Sequence, residues 1–207
     1  MPADCSPRVG TTAGRRDGRH SRPEKRAAVT VAKFLLGFFA VAGIPACTAT
    51  NPVATGQAVP VNYLEVSARL VTSGQLTADQ ISALDPAEYP VVINLAPGDV
   101  DGMQYEAGLL AGKGIAYVAI PVEAERPDYR EFVLFSNVLQ SVEKGRVWVH
   151  CRSNYRSSVF AFLYRVIHEG ADPDAAYEKL TQVWIPTPHW LTFVRETLAR
   201  HKIAFDF

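Results

Sequence analysis

The stretch RVWVHCRSNYRSS, Arg146–Ser158, constrains the fold more than any other part of the chain. Arg146–His150 is mostly apolar and β-branched, as expected of a strand buried on both faces of a parallel sheet. From about Arg156 to Glu169, Val159, Phe160, Leu163, Val166 and Ile167 recur at helical spacing, and Gly170 closes the helix. Only the six residues Cys151–Arg156 connect the two. A strand feeding a helix through so short a loop points several backbone N–H groups and the positive end of the helix dipole at one spot, which attracts anions.

Cys151, at the mouth of that loop beside Arg152 and Arg156, is placed to act as a thiolate nucleophile. The planar guanidinium of Arg156 suits two oxygens of a phosphate or similar oxyanion and would stabilise charge developing in a transition state. Ser157 or Ser158 is placed to donate to the departing thiolate. Arg152, Ser153, Asn154 and Tyr155 complete the loop as candidate substrate-binding residues, Arg152 having simple solvation as its alternative. His150 is expected either to orient the loop through hydrogen bonds or to take a direct part. A cysteine buried only for packing would need neither arginine.

The rest of the domain alternates strands and helices. Leu70-Val71 and a turn over Thr72–Gln75 precede a helix capped by Thr77, and Tyr89-Pro90 ends that unit. Val91–Leu95 and Ala116–Ile120 read as buried strands with an irregular loop around Pro97–Gly102 between them. Helices are expected over about Asp128–Glu143, stopped by Gly145, and near Asp174–Val183 and Pro188–Arg200. The pattern predicts an α/β fold with a central, mainly parallel sheet flanked by helices.

Charge and the N-terminus narrow the function classes. The formal net charge is zero, yet residues 1–46 hold eight Lys/Arg and three Asp/Glu, leaving 13 basic against 18 acidic residues in the remainder, a net charge of −5. An acidic body without a basic stripe disfavours nucleic acid as a partner. The cysteines at 5, 47 and 151 match neither a zinc site nor a disulfide framework, so no metal and no cofactor are expected. Basic residues before an apolar run ending near Ala46 predict a signal peptide over residues 1–46. Ile44-Pro45-Ala46-Cys47 resembles a lipobox, which implies lipidation of Cys47, a tether over residues 47–61 and a lipid-anchored domain over residues 62–207 in a bacterial cell envelope or periplasm. Ordinary signal cleavage or an uncleaved anchor are the alternatives.

HCRSNYRSS is similar to the signature loop of cysteine-based phosphatases and also close to the rhodanese pattern CRSGxRS. TSGQLTADQ, VVINLAP, AYVAIPVE, WVHCRSNYRSS and the late W-x-P-x-x-x-W from Trp184 to Trp190 together resemble the bacterial dual-specificity-phosphatase-like family, over about residues 62–200. The resemblance implies a cysteine-phosphatase-like fold and hydrolysis of a phosphate ester, such as that of a phosphorylated protein, through a phosphocysteine. One departure is that four residues rather than five separate Cys151 from Arg156, the rhodanese length.

The resemblance also implies a general acid in the loop after Ala116–Ile120, with Glu123 the best match, Glu125 and Asp128 the alternatives, and Asp99 and Asp101 able to approach from another loop. Trp184, Pro186, Pro188, His189 and Trp190 either pack the C-terminal helices on the sheet or line a substrate cleft. Two other functions stay open at this point: a sulfurtransferase carrying a Cys151 persulfide, and a non-catalytic anion-binding or interaction module.

Overall fold

The computed structural model describes residues 58–98 and 100–207, with no account of the Val100 and Asp101 side chains. All of them belong to one unit, Ala49–Phe207. The signal peptide, Cys47 and most of the tether lie outside the described residues.

Five short strands make one sheet: β1 (Leu64–Ser67), β2 (Leu70–Ser73), β3 (Val91–Asn94), β4 (Ala116–Ala119) and β5 (Val147–His150), in the order β1-β2-β5-β3-β4. β1 pairs antiparallel with β2, and every other pairing is parallel. The mainly parallel sheet is as expected, and the fifth, antiparallel edge strand is added to it.

Alternation along the strands divides the core in two. Leu70, Ile93, Val147 and Val149 bury themselves with α3 (Tyr129–Ser141), α4 (Tyr155–His168), α5 (Pro173–Thr181) and α6 (Pro188–Arg200). Their neighbours Val71, Val92 and Trp148 face the other way, against α1 (Ala78–Ala83) and α2 (Val100–Gly112). A sheet covered on both faces has no polar side to show, hence the unbroken apolar runs. Among the described residues, no helix is long and apolar enough to cross a membrane.

The caps follow the sequence closely. Thr77 and Asp128 each form a capping box, with Gln80 and Glu131 respectively, and Gly145 has a left-handed φ of 81° just beyond α3. The expected turn at Thr72–Gln75 begins later, because Thr72 and Ser73 pair with β5 as strand. α2 stands where the sequence shows only an irregular loop and the stretch after it. It carries Gly102, Gly108 and Gly112, and one of its buried side chains is the charged Glu106, so it lacks a clear apolar stripe.

Candidate functional site

β5 lies in the middle of the sheet, and β2 and β3 run parallel on either side of it. Ser73, Asn94 and His150 are level in register, and Ala119 is level with Asn94. The chain therefore leaves four parallel strands along one edge, the usual crevice for ligands in open α/β sheets. TSGQ, VINLAP, the segment after Ile120 and the Cys151 loop, dispersed along the sequence, meet there for that reason.

The loop is held from several sides. Cys151 is fully buried, and its N–H donates to the Ser73 carbonyl at 3.3 Å. The His150 carbonyl accepts from Leu95 N–H at 2.8 Å, and the Arg152 carbonyl from Gln75 N–H at 3.2 Å. Asn154 precedes α4 in the left-handed region, φ 69°, and its buried amide donates to the Asn62 carbonyl at 2.6 Å and Thr72 Oγ1 at 3.0 Å. Gly74 fits only because it lacks a side chain: a Cβ there would lie 2.9 Å from both the Arg152 carbonyl oxygen and Val61 Cβ.

α4 begins at Tyr155, so its N-terminal N–H groups open toward the loop. Ser157–Tyr164 is buried without a break, which anchors the helix in the core. Arg156 Nε and Ser157 Oγ are both shielded from water without a protein hydrogen-bond partner. Ser158 instead donates to the Tyr155 carbonyl at 3.0 Å and accepts from Trp184 Nε1 at 3.2 Å.

His150 shares its face with Trp148, two residues earlier, and so points toward α2. There its Nε2 lies 2.9 Å from Oε1 of Glu106, with both side chains nearly or wholly buried. Gln75 Nε2 donates to Glu106 Oε1 at 3.2 Å, while Asn94 Nδ2 and the Tyr117 hydroxyl donate to Oε2 at 3.3 and 3.2 Å. Burial alone would raise the Glu106 carboxyl, but contact with His150 and its charge, together with the hydrogen bonds from Gln75 and Tyr117, outweigh it, and the net shift is downward. Burial pushes the Tyr117 hydroxyl up to about 12, so it remains a donor. Glu106 is absent from the sequence-derived candidates. Its spacing of four from buried Leu110 would have put it on a core-facing side had α2 been recognised.

A cavity of about 360 Å³ opens over the loop, lined by Cys151, Arg152, Ser153, Tyr155 and Arg156 on one side and by Ala124, Glu125, Trp184, Thr187, His189 and Trp190 on the other. His150, Asn154 and Ser157 lie behind this lining. Of the acid candidates, Glu125 borders the cavity. Glu123 is exposed away from the lining; burial chiefly, with the charges of Asp128 and Glu123 adding to it, raises the neighbouring Glu131 carboxyl. Asp128 is committed to capping α3 and to Arg130. Asp99 and the Asp101 side chain lie outside the described residues. The aromatic cluster serves both expected purposes: Trp190 is buried edge-on against Phe193, while Trp184 stacks on Tyr155 at 4.6 Å between ring centres and walls the cavity. Among the described residues, no group of three or more His, Cys, Asp or Glu could hold a metal.

No family model matches the chain. Among solved structures, a candidate phosphatase (DUF442) of Shewanella putrefaciens CN-32 is 30% identical over 69% of this chain and 94% of its own, with a TM-score of 0.61. The dual specificity protein phosphatase TpbA of Pseudomonas aeruginosa strain PAO1 is 28% identical over 136 residues, 64% of this chain and 60% of its own length. The same protein from strain UCBPP-PA14 is matched over 53% of its length, so this chain spans little more than half of these curated relatives. A crystal structure of P. aeruginosa TpbA in complex with phosphotyrosine is 25% identical, covering 70% of this chain and 91% of that one, with a TM-score of 0.54. With 30% identity across 94% of the Shewanella phosphatase and the same fold, the chain belongs to the bacterial cysteine-based, dual-specificity-phosphatase-like family.

Proposed function

We propose that the domain hydrolyses phosphate monoesters, phosphorylated protein side chains among them, through a phosphocysteine. The observation that carries this reading is the shared cavity of Cys151 and Arg156 at the start of a deeply anchored helix. Arg156 Nε, buried without a protein partner, is a donor for which a phosphoryl oxygen supplies the missing acceptor. In the first step the Cys151 thiolate attacks phosphorus; an S–P bond forms, the P–O bond to the leaving group breaks, and the leaving oxygen takes a proton from a carboxylic acid. In the second step water attacks phosphorus, returns that proton to the carboxylate and frees the thiolate. Glu125 takes the acid role ahead of Glu123 because it borders the cavity. Ser157, buried next to the start of α4, is retained as the group that steadies the departing thiolate.

The aromatic wall of Tyr155, Trp184 and Trp190 supports an aryl phosphate over a small alkyl one. The phosphotyrosine bound to the related TpbA points the same way. The relatives are phosphatases rather than sulfurtransferases, which weighs against the persulfide alternative despite the short loop. Turnover of p-nitrophenyl phosphate by the full chain, with Cys151→Ser as control, is the test. Equal rates would sink the proposal, and uptake of a sulfur atom on Cys151 from thiosulfate would transfer it to the sulfurtransferase class.

The signal-like residues 1–46, the tether and Cys47 support a lipid-anchored domain of the bacterial cell envelope. Incorporation of labelled fatty acid that is lost in Cys47→Ala checks this placement.

A further inference from the structure

The segment before β1 is tied to the catalytic loop across more than ninety residues of sequence. Asn62 is in the left-handed region, φ 50°, which asparagine tolerates better than other residues with a side chain. Its Nδ2 donates to the Ser153 carbonyl at 3.0 Å, and its own carbonyl accepts from Asn154 Nδ2 at 2.6 Å. The residues around it are fastened too: the Val61 carbonyl accepts from Gly74 N–H at 2.6 Å, and the Ala58 carbonyl from Gln80 Nε2 at 2.8 Å. Residues 58–63 thus form a strap whose central residue grips Ser153 and Asn154 at once.

That grip fixes more than position. The Ser153 carbonyl and the Asn154 N–H belong to one planar trans peptide and point in opposite directions. Turning the carbonyl toward Asn62 sets the direction of the N–H on the other side. The Arg152 carbonyl, bonded to Gln75 N–H, orients the preceding peptide in the same manner. In a loop with only four residues between Cys151 and Arg156, these two peptides make up much of the cradle.

We propose that Asn62 is a positioning residue for the anion cradle, holding the Ser153–Asn154 peptide in its binding orientation from outside the loop. This role rests on the reading of the Cys151 loop as an oxyanion site. It gives the strap a part in the chemistry, whereas a segment that only packed against the domain would affect stability alone.

The test uses Asn62→Gly in the full chain, which keeps the left-handed backbone and the carbonyl while deleting the donor to Ser153. Asn62→Asp, which keeps size but cannot donate, is the second variant should the first fold poorly. Hydrogen exchange of residues 151–157 should quicken about tenfold and tungstate affinity fall about tenfold, the worth of one hydrogen bond, with exchange in α3 unchanged. Unchanged loop exchange and tungstate affinity would overturn the proposal, as would faster exchange spread evenly over the domain. If the unaltered protein binds no tungstate, the oxyanion reading fails separately, and the exchange comparison still decides whether Asn62 orders the loop.

Discussion

Glu106 Oε1 and His150 Nε2 lie 2.9 Å apart, buried within the domain one residue before Cys151. A buried charge is tolerated only when its partners are complete, and here three further donors finish the shell of the carboxylate. The pair fastens α2 to the end of β5.

The depressed Glu106 carboxyl makes part of the stability pH-dependent. Its contribution is fully present above the ordinary value of 4.5 and is lost as pH falls through the lower folded-state value. Glu106→Gln should cost about 1–3 kcal/mol at neutral pH. The gap between the two proteins in urea unfolding should hold down to pH 4.5 and narrow below it.

Glu125→Gln should lower kcat by about 100-fold on phenyl phosphate, whose leaving group needs a proton, and far less on p-nitrophenyl phosphate, whose leaving group does not. Glu123→Gln should leave both rates near those of the unaltered protein. Steady-state kinetics on the two substrates checks the assignment, and the reverse pattern would restore Glu123.

Trp184→Ala removes the partner stacked on Tyr155. A ring pair is worth about 0.5–1.5 kcal/mol beyond its buried area. KM for aryl phosphates should therefore rise about two- to tenfold, while KM for a small alkyl phosphate stays put.

Phe135 is fully buried and meets Phe160 and Tyr164 edge-on at 5.5 and 6.1 Å. Phe135→Ala should cost about 3–5 kcal/mol, read from the urea midpoint. Its effect on the site should be confined to the loss of folded protein.

The fold was legible wherever an apolar period or a cap marked an element. β3, β5, α3 and α6 follow directly from their residues, and Thr77 and Asp128 announce their helices. α2 was not legible, because three glycines and a buried carboxylate erase the stripe by which a helix is recognised. The site was legible along the chain but not across it. Cys151–Arg156 is one contiguous run, and every residue of it except Asn154 borders the cavity. Glu106 and Asn62 act through contacts spanning tens of residues, which no local spacing records. The acid loop offers several carboxylates within six residues, and only the geometry separates Glu125 at the cavity from Asp128 at its cap.

The unbroken burial of Ser157–Tyr164 sets limits on how such a domain can diversify. A change beneath the loop disturbs the core and the setting of Cys151 together. The opposite wall, contributed by Ala124, Glu125, Trp184, Thr187, His189 and Trp190, includes exposed positions such as Thr187 and His189. New substrate preferences are thus most accessible to mutation on the Thr187–His189 side of that lip, away from Glu125, where a library of variants would sample selectivity while leaving the reaction itself in place.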